Sequence, residues 1–161
     1  MINKTLFAVA FSFISAAAAA ENWVVGGDYV KLGGISAVAA SGGYKIPLNQ
    51  ENSTILVGGR YGVGMGDDNG VEMDSLLGAF VKYQYDIDSE WYIQGIAAYT
   101  QFEYSFDYNY FGFNYSASGS DSELSVGFGG GYRINDESAV EFSYENFDYD
   151  GAISLGYRYE F

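Results

Sequence analysis

The sequence predicts an all-β fold, an eight-stranded antiparallel up-and-down transmembrane β-barrel. Three observations carry that expectation. Apolar and aromatic residues alternate with small or polar ones through most of the chain, which is the two-residue period of a β-strand. Beyond residue 20 no apolar run approaches the length of about 18 residues that a membrane-crossing helix needs. The connections between alternating segments are short and long by turns, as in barrels with tight turns at one rim and loops at the other.

The first twenty residues read differently from the rest. Lys4 is a positive start, Leu6 to Ile14 is apolar apart from Ser12, and Ser15 to Ala20 is small throughout and ends in Ala18-Ala19-Ala20. That is the pattern of a secretory signal peptide over 1–20, cleaved before Glu21, which leaves 21–161 as one barrel domain. The apolar run is short for a membrane anchor.

The strands are expected over 22–32, 35–46, 54–65, 74–86, 91–105, 123–134, 139–148 and 152–161. The last is the clearest. Ile153, Leu155, Tyr157, Tyr159 and Phe161 share one face, and Ser154, Gly156, Arg158 and Glu160 the other. Leu124, Val126 and Phe128 likewise alternate with Ser125, Gly127 and Gly129, and Val57 and Tyr61 with Gly58 and Arg60. Transmembrane strands need about 9–11 residues and single-chain bacterial barrels have an even strand number, so eight fit where ten leave almost no connections. Residues 48–53, 86–90 and 135–138 are short polar turns, whereas 67–73 and 107–122 are longer. Gly33-Gly34 and Asp150-Gly151 look like tight hairpins. This alternation puts both termini on the periplasmic side. The segment 106–122 is read as a hairpin extension above the membrane plane.

Composition excludes several functions. There is no His and no Cys, so a Ser-His-Asp triad, thiol catalysis and ordinary zinc sites cannot be built. No pair among the 21 acidic residues sits in a recognisable catalytic motif, and no enzyme activity and no cofactor are expected. A formal net charge of −14 argues against nucleic-acid binding. Asp67, Asp68, Glu72 and Asp74 flank Asn69-Gly70 without the spacing of a calcium-binding EF-hand loop, so they read as a solvated loop tip and no metal is assigned.

The strongest constellation lies on the polar faces. Asp28, Arg60, Lys82, Arg133, Glu141, Glu145, Arg158 and Glu160 all fall where an interior would be. An eight-stranded barrel is just wide enough to be filled by side chains, and buried charges must pair. A packed lumen network of ion pairs is therefore preferred over an ion path lined by the same charges. Tyr108, Tyr110, Phe111, Phe113 and Tyr115 mark a candidate binding loop, against lipopolysaccharide contact as the plainer reading. Trp23 and Trp91 begin strands and fit an aromatic girdle at the periplasmic interface.

The Gly- and Tyr-rich strands, the segment Glu137 to Glu145 and the ending Ala152 to Phe161 resemble the OmpA-like outer-membrane β-barrel (porin family) domain of proteobacteria. The resemblance covers all of 21–161. It implies residence in the outer membrane, with lipid and lipopolysaccharide as surroundings. It also implies that Tyr157, Tyr159 and Phe161 form the signal read by the barrel-assembly machinery. The leading expectation is a non-enzymatic, monomeric envelope protein with at most a narrow pore. A surface adhesion protein acting through 106–122 is the alternative. A soluble periplasmic ligand-binding barrel is the second, and it requires apolar residues inside and charges outside.

Overall fold

A computed structural model describes residues 22–161 except 51, 66, 69–70, 111–112 and 149. The expected signal peptide over 1–20 lies outside the described residues. The strands are β1 (Trp23–Leu32), β2 (Ile35–Pro47), β3 (Ser53–Met65), the two-residue β4 (Asp67–Asp68), β5 (Val71–Asp86), β6 (Trp91–Tyr110), β7 (Phe113–Arg133), β8 (Ser138–Asn146) and β9 (Gly151–Glu160).

Each long strand pairs antiparallel with its neighbours in sequence. The sheet closes because β1 pairs with β9, from Val24↔Glu160 to Leu32↔Ala152, and β3 pairs with β5, from Ser53↔Tyr85 to Gly62↔Leu76. Eight long strands thus form a closed barrel, with β4 a short addition paired to Val71 and Glu72 of β5. The first and last described residues, Asn22 and Phe161, and the connections 87–90 and 134–137 lie at one rim, here the terminus end, together with the ends of β2 and β3 at Pro47 and Ser53. Gly33-Gly34, the hairpin ends Tyr110 and Phe113, and the ends of β8 and β9 at Asn146 and Gly151 lie at the other, the loop end.

The period of two decides which side chains enter. Leu124, Val126 and Phe128 point outward and are 73%, 67% and 66% exposed, while Ser125 between them is buried. The outward set continues around the barrel through Val57, Val81, Ile93, Phe142 and Leu155. In water so much exposed apolar surface would drive association; in a bilayer it is the face that meets hydrocarbon. The less clear alternation of 91–100 resolves the same way, with Tyr92, Gln94, Ile96, Ala98 and Thr100 inside.

Three boundaries differ from the sequence reading. β6 and β7 run on to Tyr110 and from Phe113, so 106–122 is largely paired hairpin. β5 starts at Val71, and a register shift between Met73 and Ser75 leaves Asp74 as an extra residue. This bulge lets Met73 and Leu76, three positions apart, both face the lumen. Asp150-Gly151 is not a two-residue hairpin. β8 stops at Asn146, and Phe147 N–H donates to Asp150 O at 2.9 Å across a four-residue connection. Phe147 is buried inside, so its burial competes with a tight turn and wins.

At the terminus end the turn 87–90 is fixed by Asp88, whose carboxylate accepts from Glu90 N–H at 2.8 Å and Trp91 N–H at 2.7 Å. Those two donors hold its pKa below the usual carboxylate range.

Interior glycines make room for large neighbours. A Cβ on Gly131 would overlap the ring of Tyr92, which is 1% exposed. Nothing lies within 4 Å of a Cβ on outward Gly95. We expect Gly131→Ala to lower unfolding free energy by ~1–3 kcal/mol through overpacking. Gly95→Ala should stay within about 0.5 kcal/mol. Urea titration of the barrel in lipid vesicles checks both.

Candidate functional site

The lumen holds three tiers of charge, an apolar cluster of Val24, Leu56, Phe80 and Ala98, and an apolar cap at the loop end. At the terminus end Arg133 Nη2 donates to Asp86 Oδ1 at 2.7 Å, and Lys45 Nζ to Glu160 Oε2 at 2.6 Å. Both pairs are partly exposed.

The middle tier centres on Glu141. It accepts from Lys82 Nζ at 2.9 Å, Arg158 Nη1 at 2.7 Å and the Tyr92 hydroxyl at 2.7 Å. Arg158 Nη1 also reaches Gln84 Oε1 at 3.1 Å, and its guanidinium lies 4.7 Å from the Tyr92 ring centroid. The Arg133 guanidinium lies 5.0 Å from the same centroid, so two cations approach one tyrosine ring, whose hydroxyl donates to Glu141, the partner of Arg158, while Arg133 keeps its own partner Asp86. Arg158 Nη2 is 2.7 Å from Glu160 Oε1 but off the hydrogen-bonding direction, so this contact is Coulombic.

The third tier is a bidentate pair. Arg60 Nη1 and Nη2 donate to Glu145 Oε1 and Oε2 at 2.6 and 2.9 Å. Arg60 Nη2 also reaches Thr100 Oγ1 at 2.8 Å, and Ser125 Oγ donates to Glu145 Oε2 at 2.9 Å. The fork geometry fixes both side chains as well as neutralising them. Above it lies the apolar cap of Ala37, Met73, Leu76, Phe102, Phe147 and Ala152.

Seven of the eight residues singled out for the lumen are brought into ion pairs: Arg60, Lys82, Arg133, Glu141, Glu145, Arg158 and Glu160. Asp28 faces inward over Gly156 but joins no ion pair among the described residues. It lines a polar cavity of about 10 Å³ with Lys82, Glu141 and Arg158. The sequence reading missed Lys45 and Asp86, although both share the parity of inward neighbours, Gly43 and Gln84. It also missed Tyr92, because an aromatic on an otherwise ambiguous strand carries no sign of a polar partner.

The other two groups of residues lie apart. Tyr157, Tyr159 and Phe161 are at the terminus end of β9 and just past it. Tyr159 and Phe161 meet edge to face at 4.9 Å, and Phe161 N–H donates to Trp23 O at 2.9 Å, so the last residue is tied to the first strand. Tyr108↔Tyr115 and Tyr110↔Phe113 are cross-strand partners at the tip of the β6–β7 hairpin, and Phe111 falls outside the described residues. Among the described residues no cluster of potential ligands could hold a metal ion.

The arrangement is the reverse of what a soluble ligand-binding barrel needs, because charges fill the inside and aliphatic and aromatic groups cover the outside. We expect Arg60→Leu alone to destabilise by ~3–5 kcal/mol, because Glu145 stays buried without its counter-charge. Arg60→Leu combined with Glu145→Leu should recover most of that loss, as read from guanidinium unfolding midpoints. A double variant as unstable as the single one would mean that the pair is needed for more than neutrality.

No family model matches the chain, and no curated protein matches it. Solved structures do. Ail, the attachment invasion locus protein of Yersinia pestis, superposes with a TM-score of 0.52 at 17% identity, over 88% of this chain and 100% of that one. Neisserial surface protein A gives 0.55 at 17% identity, over 86% and 97%. The N-terminal β-barrel domain of Pseudomonas aeruginosa OprF gives 0.58 at 11% identity, over 88% and 98%. At these identities the likeness concerns architecture, and the chain shares the closed eight-stranded antiparallel barrel fold of these proteins.

Proposed function

We propose that the chain is an integral outer-membrane protein, non-enzymatic, that supports envelope integrity and has at most a narrow pore. The observation that carries this reading is the inversion of polarity. An apolar belt faces outward on every long strand, and five of the six basic residues in 22–161 are spent on ion pairs in the lumen. In lipid every backbone polar group must be satisfied within the protein, and a closed barrel does this. The likeness to Ail, itself an outer-membrane protein, supports the same location.

The short polar turns and both termini are assigned to the periplasm, and the loop end to the outside. Trp23 and Trp91 then sit at the periplasmic interface, paired with Tyr44 and Tyr132 at 5.8 and 4.8 Å. Export through a signal peptide over 1–20 and recognition of Tyr157, Tyr159 and Phe161 by the barrel-assembly machinery belong to this reading. So do a monomeric state and lipid and lipopolysaccharide as the surroundings. A conducting lumen is disfavoured because the three tiers and the cap occupy successive levels.

A surface-attachment role has one specific observation behind it. β6 and β7 pair with each other from Trp91↔Tyr132 to Tyr110↔Phe113, whereas pairing of β7 with β8 begins only at Val126↔Asn146. The hairpin therefore rises well beyond β8 and would stand clear of the membrane. Ail is an attachment invasion locus protein by name, and its likeness to this chain suits the second reading.

Fractionated cells run on a denaturing gel with and without boiling test the main proposal. The protein should be recovered with the outer membrane and migrate differently when unboiled; recovery as a soluble periplasmic species overturns it. Deleting 106–122 should leave assembly and the gel shift intact. Attachment to host cells or surfaces that survives the deletion unchanged excludes the adhesion reading.

A further inference from the structure

The apolar cap at the loop end is built from residues with two kinds of anchorage. Ala37, Met73, Leu76, Phe102 and Ala152 are held in strands on the barrel wall. Phe147 alone among the described buried cap residues sits on a connection, 147–150, one residue beyond the end of β8. Its ring nevertheless turns into the barrel and meets Phe102 edge to face at 5.4 Å. Phe102 in turn stacks on Tyr104 at 6.0 Å. On the opposite wall Gly62 makes space: a Cβ there would come within 3.0 Å of Leu76 Cγ and of Ala39 Cβ.

Beneath Phe147 the packing is not complete. A cavity of about 20 Å³ lies between the cap and the Arg60–Glu145 tier, with Arg60, Thr100 and Glu145 among its lining residues. Its other walls include Leu32, Ile35, Met73, Leu76 and Phe102. Arg60 Nε is buried and has no protein acceptor. Phe147 therefore separates a charged interior from the loop end without filling the space between them. A constriction lined by aromatic and aliphatic groups excludes water and, with it, hydrated ions.

We infer that Phe147 is a removable lid, which seals the lumen at the loop end and can be withdrawn without breaking any strand pairing. The pairing of β8 with β9 ends at Asn146↔Gly151, so among the described residues Phe147 lies just beyond the paired strands. The bond that ties Phe147 into the connection, its N–H to Asp150 O at 2.9 Å, lies within that connection. The barrel wall thus stays intact whichever way the ring points. The tiers at the terminus end are partly exposed, so the interior charges communicate with that side while the lid closes the other.

This inference rests on the proposed location, with the loop end outside. The chain has no cysteine, which makes a single introduced thiol a clean reporter. Ser125→Cys places one beside Glu145 under the cap, and Ser120→Cys places one on the exposed hairpin. Intact cells are treated with a membrane-impermeant cationic methanethiosulfonate. The Ser120→Cys thiol should react quickly. The Ser125→Cys thiol should react slowly in the otherwise unchanged chain, and about tenfold or more faster when combined with Phe147→Ala. Phe147→Leu, which keeps apolar bulk, should leave it slow. The shift on unboiled gels shows that each variant is folded. Equal rates with Phe147 and with Phe147→Ala overturn the lid. A Ser120→Cys thiol that fails to react in intact cells overturns the orientation instead. The lid is then judged by the same ratio of Ser125→Cys rates in detergent micelles, where equality again overturns it.

Discussion

The rest of the molecule depends on closure of the backbone ladder. β1 pairs with both β2 and β9, and β3 with both β2 and β5, so no long strand presents an open edge at the level of the belt. In hydrocarbon an unpaired N–H or C=O has no water to turn to, and each would be expensive enough to forbid an open sheet. Closure also ties the two ends of the described residues together, since Asn22 N–H donates to Phe161 O and Phe161 N–H to Trp23 O. With no disulfide available, this ring of hydrogen bonds is the global cross-link.

Closing the sheet with eight strands fixes the diameter, and the diameter dictates the interior. An eight-stranded barrel has an interior just wide enough for side chains to fill. Long side chains must cross it, and their charged ends must find partners there. Arg60 spans to Glu145 from β3 to β8, and Lys82 to Glu141 from β5 to β8, so the pairs brace opposite walls. Glycines opposite these groups, Gly127 against Glu145 and Gly131 against Tyr92, are the complement of the same constraint. The apolar cap solves the loop end differently. Residues near the rim can meet aliphatic neighbours instead of counter-charges, and Phe147 and Phe102 do so.

Much of this was legible because a period of two is a local property. Which residues face outward follows from parity alone, and β9 shows it in ten residues. Of the eight polar residues picked out at that parity, seven lie in ion pairs and Asp28 faces the same interior, although nothing in the sequence says which acid meets which base. Arg158 and Glu160 share a strand face, yet the hydrogen bonds of Arg158 run to Glu141 and Gln84 on other strands. That choice depends on strand stagger, which no single strand encodes. The bulge at Asp74 and the stop of β8 at Asn146 were hidden for a related reason. The bulge breaks the period, whereas Phe147 keeps the inward parity of Glu141, Ser143 and Glu145 one residue past the strand end, and each brings a large apolar residue into a cap that exists only after the barrel closes. Tyr92 was obscure because its value lies in a hydroxyl and two ring faces used at once.

The charge of the chain also changes meaning once the fold is known. A net charge of −14 describes a sum, not a surface. Lys45, Arg60, Lys82, Arg133 and Arg158 are all turned inward and paired, leaving Lys31 as the exposed base among residues 22–161. The acids are divided differently. Asp86, Glu141, Glu145 and Glu160 balance the interior, while Glu103, Asp121, Asp148 and Asp150 remain exposed towards the loop end and Asp88, Glu90, Asp136 and Glu137 at the terminus end. The excess negative charge therefore lies at the two rims, in water, where screening within about 10 Å limits its repulsion. Between the rims the outward belt is uncharged and the interior is nearly neutral. With the membrane location proposed above, turning the few cations inward leaves the wall of so acidic a chain free of unpaired charge.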